Sequence, residues 1–160
     1  MLLNIEDTEI TENSENILKN IKCNKLDIET TIDLGTCSEV GFNLCVSEDS
    51  YMNIRYDKTN GKLILDKSKT QTQSIKVSAN VETLDYIAND NILNLHILLD
   101  VSAIDVYADY GTVGTTAAYY TDPENLGCCF YVNGGEATIK NMSVYSLRDA
   151  AKENYEKSRS

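Results

Sequence analysis

Leu93-Asn94-Leu95-His96-Ile97-Leu98-Leu99-Asp100-Val101-Ser102-Ala103-Ile104-Asp105-Val106-Tyr107-Ala108-Asp109-Tyr110-Gly111 is the stretch whose pattern decides the fold. Leu93, Leu95, Ile97 and Leu99 alternate with more polar neighbours, Asp100-Val101-Ser102 interrupts, and Ile104, Val106 and Ala108 resume the alternation. A period of two over so few residues marks a half-buried strand, so the stretch reads as strand, turn, strand. Side chains alternate across a strand, which puts Ile104, Val106 and Ala108 on one face. Asp105, Tyr107 and Asp109 fall on the other at about 7 Å steps. The hairpin has an apolar face and an acidic, aromatic one.

Upstream, Leu26, Ile28, Thr30, Ile32 and Leu34 alternate with Asp27, Glu29, Thr31 and Asp33, again a strand with an acidic outer face. Val40 to Val46 reads as the next strand. Asn60-Gly61 is the strongest hairpin signal in the chain, and it predicts antiparallel pairing of 51–57 with 62–66. Ser74 to Val81 reads as a strand and Asp85 to Asn91 as a loop. Beyond the central hairpin, strands are expected over Thr112 to Tyr120, Leu126 to Val132 and Ala137 to Leu147, with a bulge between Ile139 and Met142 where the alternation shifts. Short strands separated by turn signals every eight to twelve residues describe an all-β, two-sheet antiparallel β-sandwich. Residues 1–22 read as a lead-in, acidic and without a sustained period over Asn4 to Glu15, with two helical turns over Ser14 to Ile21. The sandwich is expected over 23–148, and 149–160 reads as a charged helical tail begun by a capping box at Ser146-Leu147-Arg148-Asp149.

With 160 residues and 42% hydrophobic content, the chain can bury one core. A net charge of -11 repels phosphate backbones and anionic lipid, which argues against nucleic-acid and membrane-surface partners. No run of 18 apolar residues is present, and Met1-Leu2-Leu3-Asn4 turns acidic at once, unlike a cleavable signal. Five cysteines, an odd number without a Cys-x-x-Cys pair, favour a reducing compartment, so a cytoplasmic location is expected. Adjacent Cys128 and Cys129 point to opposite faces of a strand and are expected to stay thiols. A single His among scattered thiols does not complete a zinc site, and Asp100, Asp105 and Asp109 lack a calcium-loop pattern. No metal and no cofactor is expected.

Asp100, Ser102, Ile104-Asp105-Val106-Tyr107, Asp109 and Gly111 resemble the Asp-x-Ser-x-(Val/Ile)-(Glu/Asp)-(Val/Ile)-(Phe/Tyr)-x-(Asn/Asp)-x-Gly signature of the C-terminal β-sandwich in glycoside hydrolase family 32, the invertases, levanases and inulinases. Tyr56-Asp57 through Leu63 to Leu65-Asp66-Lys67-Ser68 is similar to that family's Tyr-Asp…Leu-x-Leu-Asp-Arg-Ser hairpin. Gly134-Gly135-Glu136 to Val144-Tyr145-Ser146-Leu147 resembles its closing strand. The resemblance implies a sandwich of the concanavalin A-like, jelly-roll type and gives Asp66, Ser68, Asp100, Ser102 and Gly111 structural roles. It implies, as partner, an N-terminal five-bladed propeller that carries the catalytic residues, with residues 1–22 as the link to it. A homodimer is left open.

The resemblance brings no catalytic residue to this chain. The family's Trp-x-Asn-Asp-Pro-Asn-Gly and Arg-Asp-Pro motifs and its Glu-Cys pair are absent: there is no Trp, and the one Asp-Pro, Asp122-Pro123, follows Thr121. The expected function is therefore that of a non-catalytic accessory domain of a β-fructofuranosidase, packed on the propeller and stabilising it. A stand-alone lectin-like module for fructose-containing saccharides is the alternative. Asp105, Tyr107, Asp109 and Tyr110 would be its binding residues, since sugars are held by planar hydroxyl-bonding groups beside aromatic faces. The opposing reading has Tyr107 packed against a neighbouring strand or the catalytic domain. Val101 and Lys67 stand where the family often carries Arg, and neither reproduces a guanidinium's bidentate bonds.

Overall fold

The computed structural model describes residues 1–70 and 80–147. Among them eleven strands form two antiparallel sheets. In chain order they are β1 (Leu3–Thr11), β2 (Leu26–Asp33), β3 (Glu39–Val46), β4 (Met52–Asp57), β5 (Lys62–Asp66), β6 (Val81–Asp85), β7 (Ile92–Asp100), β8 (Ala103–Ala108), β9 (Val113–Ala118), β10 (Gly127–Asn133) and β11 (Glu136–Ser146). The larger sheet runs β1-β11-β2-β7-β8-β9 and the smaller β10-β3-β4-β5-β6.

The alternation read from the sequence decides which face is covered. Leu26, Ile28 and Ile32 of β2, Leu93, Ile97 and Leu99 of β7 and Ile104 and Val106 of β8 are all buried, and they meet Val40, Phe42, Leu44, Ile54 and Leu65 from the smaller sheet. Phe42 and Phe130, paired across β3 and β10, pack their rings 5.0 Å apart at 59°. Burying this set is the main stabilising term of a two-layer domain.

The central hairpin forms as read, with Leu95 opposite Ala108 and Asp100 opposite Ala103, joined through Val101 and Ser102. Tyr56 faces Leu63 across the β4–β5 hairpin, as the Asn60-Gly61 signal implied. Gly61 takes a left-handed φ of 62° there, and Asp57 accepts bonds from the Asn60 backbone and side chain at 3.1 and 2.8 Å. The bulge lies where the alternation shifts: β11 slips against β2 between Ile139 and Asn141.

The N-terminal segment departs from expectation. It is not a lead-in to a sandwich starting at residue 23, because β1 pairs with β11 from Leu3–Val144 to Thr11–Glu136 and closes one edge of the larger sheet. Its pattern is hidden because an edge strand is covered on one side only, and because Asp7, at φ 46°, breaks the period after Leu3 and Ile5. Nor do Ser14 to Ile21 form a helix. Asn16 intercepts the backbone instead: its Oδ1 accepts the Leu18 and Phe130 amides at 3.0 and 3.1 Å, and its Nδ2 donates to the Cys128 carbonyl at 2.8 Å. An Asn side chain thus serves as a substitute strand partner for the free edge of β10, the competition with helix that such residues offer. The strand expected over Ser74 to Val81 falls mostly outside the described residues, as does the tail 149–160. The expected loop from Asp85 is preceded by β6 and includes a short 3-10 turn at Asn89–Asn91.

Candidate functional site

Each sheet carries a shallow basin on its outer face, and in both a tyrosine lies across a glycine on the neighbouring strand. In the larger sheet Tyr107 of β8 is paired with Gly114 of β9 and covers it so closely that a Cβ on Gly114 would stand 2.4 Å from the ring. In the smaller sheet Tyr131 of β10 is paired with Gly41 of β3, and a Cβ there would meet the phenol oxygen at 2.5 Å. The missing side chain is what lets each ring lie flat on the sheet.

The basin of the larger sheet encloses about 470 Å³ between Glu29, Thr31, Asn94, His96, Tyr107 and Tyr110. Thr31 donates to Asn94 at 2.7 Å, His96 Nε2 lies 2.7 Å from Asp27 Oδ1, and the His96 and Tyr107 rings are 6.5 Å apart. Tyr110 is 89% exposed on the rim. Of the four residues read as sugar-binding, Tyr107 and Tyr110 therefore line this basin, and Asp105 and Asp109 do not. Asp105 accepts the Thr116 hydroxyl at 2.6 Å. Asp109 leaves the strand: Asp109, Tyr110 and Gly111 take φ values of 52°, 54° and 89°, and the Asp109 carbonyl accepts both the amide and the hydroxyl of Thr112.

The basin of the smaller sheet, about 400 Å³, was not legible as a unit because its residues are scattered from Glu39 to Asn133. Asn53, only 7% exposed, is its hub. Its Nδ2 donates to Asn43 Oδ1 at 2.9 Å and to the Tyr131 hydroxyl at 3.0 Å, and its Oδ1 accepts from Arg55 at 2.8 Å. Arg55 also binds Asp66 at 3.2 Å and approaches Glu39 at 4.0 Å. Burial alone would raise the Asp66 carboxyl, but the Ser68 amide and hydroxyl, at 2.9 and 2.5 Å, and the Arg55 guanidinium outweigh it and hold it below the usual carboxylate range. Burial pushes the Tyr131 phenol up.

The remaining signature residues hold turns. The Asp100 side chain accepts the Val101 amide at 2.9 Å, and the Asp100 and Ser102 carbonyls receive the Tyr119 hydroxyl and amide, each at 3.1 Å. Lys67 is fully buried and donates to the Ala118 carbonyl at 3.2 Å, tying β5 to the end of β9. All five cysteines are free thiols, and burial raises Cys45 to about 11 and Cys128 to about 12.

The profile described as "Glycosyl hydrolases family 32 C terminal" matches residues 3–146. A levanase of Bacillus sp. (strain L7) is 28% identical over 148 residues, spanning 87% of this chain and 16% of the levanase. A fructan beta-fructosidase of Streptococcus mutans is 30% identical over 112 residues, 69% of this chain and 8% of that protein. The chain thus spans less than a fifth of these relatives. Among solved structures, the exo-inulinase of Aspergillus awamori superposes with a TM-score of 0.75 at 18% identity, over 91% of this chain and 29% of the inulinase. The fructan 1-exohydrolase IIa of Cichorium intybus gives 0.68 at 14%, over 90% of this chain and 35% of that one. At such identities the likeness is one of fold, and the matched profile takes in strand β1. The chain belongs to glycoside hydrolase family 32, as its C-terminal β-sandwich domain.

Proposed function

We propose that this chain is a non-catalytic module of a β-fructofuranosidase-type glycosidase, whose work is to pack on the catalytic propeller and stabilise it. The observation that carries this is the match of a C-terminal domain profile to nearly the whole chain, in a sequence without the propeller's catalytic motifs. The outer-face carboxylates support it. Asp66 is tied by Ser68 and Arg55, and Asp105 is held by Thr116 on an open sheet, without the apolar pocket that keeps one acid of a hydrolytic pair protonated.

A second reading, a fructan-binding module acting by itself, draws on the half-buried Tyr107 and the exposed Tyr110 of the larger basin. In that reading Tyr107 and Tyr110 offer faces to the furanose ring, and Asp105 and Asp109, which lie outside the basin, take no part. Titration of the chain with levan, inulin, sucrose and fructose separates the two. The scaffold role expects no saturable binding up to millimolar sugar and no release of fructose from sucrose. Saturable binding abolished by Tyr107→Ala or Tyr110→Ala would replace it with the binding module, and fructose release would overturn both.

A further inference from the structure

We propose that Asp27, Glu29 and His96 form a binding site for a zinc-like divalent cation. Asp27 and Glu29 are two residues apart on β2 and share its outer face, and the β2–β7 register sets Glu29 directly opposite His96. One ligand atom from each of the three lies within 4.8 Å of the others. His96 Nε2 is 2.7 Å from Asp27 Oδ1 and 3.6 Å from Glu29 Oε1. Ligands at zinc's bond lengths stand about 3.3 Å apart around a tetrahedral ion, so small side-chain rotations suffice to receive one.

The charge argues the same way. Among the described residues, neither carboxylate pairs with a lysine or an arginine, on a chain of net charge -11. A dication placed between them relieves their mutual repulsion. The imidazole, set between carboxylates on two central strands, is what separates this place from the rest of the acidic surface. It selects a borderline metal such as zinc over calcium, which takes six to eight oxygens. Ligation through Nε2 requires the neutral ring to carry its proton on Nδ1, and the bond to Asp27 is then exchanged for a shared ion. Glu29 and His96 also line the basin of about 470 Å³, so the fourth position opens onto it and is filled by water. The site is independent of whether the module binds sugar.

Calorimetric titration of the 160-residue chain with zinc chloride, in the presence of a non-thiol reductant, tests this. One ion per chain is expected, with a rise in melting temperature of roughly 5–10 °C when zinc exceeds its dissociation constant a hundredfold. His96→Ala and Asp27→Asn should each weaken binding at least tenfold, and both residues lie on the outer face, so the apo proteins should melt near the parent. Because the chain has thiols, cobalt substitution is the second readout: an oxygen and nitrogen site gives weak d–d absorption without thiolate charge transfer. Absence of binding, binding unchanged in His96→Ala, or a thiolate charge-transfer band would each overturn the assignment. A Cys23→Ser, Cys129→Ser chain should bind as the parent does, and loss of binding in it would do the same.

Discussion

Gly41 and Gly114 are small because a tyrosine ring occupies the space where a side chain would stand. Gly41→Ala should push Tyr131 off Asn53 and leave a buried amide short of a partner, lowering stability by about 1–3 kcal/mol in a denaturant titration. Gly114→Ala displaces Tyr107, whose ring neighbour is the half-buried His96 rather than a buried amide, and should be milder. Asp66 supplies a pH dependence of known sign. Its folded pKa lies below the unfolded value, so its contribution is present above about pH 4 and lost as pH falls through the folded pKa. Asp66→Asn should therefore be less stable at pH 7 and should lose less on acidification, with a residual slope from Asp57, whose carboxyl the Asn60 side chain holds down. Melting curves from pH 7 to pH 2 check both halves. Burial also keeps the Cys45 and Cys128 thiols protonated, so in the native state an alkylating reagent should reach the half-buried Cys23 well before either.

Strand β1 and the Asn16 turn close two free edges, one in each sheet. Removing residues 1–12 should cost about 3–5 kcal/mol from the lost burial of Ile10, Leu3 and Ile5. It should also make the chain associate by sedimentation, because β11 is then an unpaired edge. Asn16→Ala leaves the Phe130 amide and the Cys128 carbonyl without their partner and should lower the melting temperature by about 4–8 °C, for a loss of about 2 kcal/mol. These two elements are also where sequence reading fell short. The β7–β8 and β4–β5 hairpins are legible because both of their partners are local and one face of each is fully buried. β1 is not, because its partner lies more than a hundred residues away, its coverage is one-sided and Asp7 interrupts its period. Asn16 looked like helix because helix propensity carries no information about the open edge of β10 standing beside it.

At the scale of the molecule, the outer faces divide what alternation reveals from what register reveals. That Asp105 and Tyr107 share a face was readable from a period of two. That Asp109 leaves it was not, since three successive left-handed residues end the strand there. The Asp27, Glu29 and His96 cluster exists only through a pairing of strands distant in sequence, and the Arg55 network joins its local hairpin partner Asp66 to Glu39 and, through Asn53, to Tyr131 on distant β10. The described residues form a two-layer body, which fits the proposed role of a support. The proposed role is tested most directly by the half-life, at elevated temperature, of fructose-releasing activity from a family 32 catalytic propeller, measured with that propeller alone and joined to this chain. A half-life several-fold longer for the joined protein is the expected result, and equal half-lives would contradict a stabilising role.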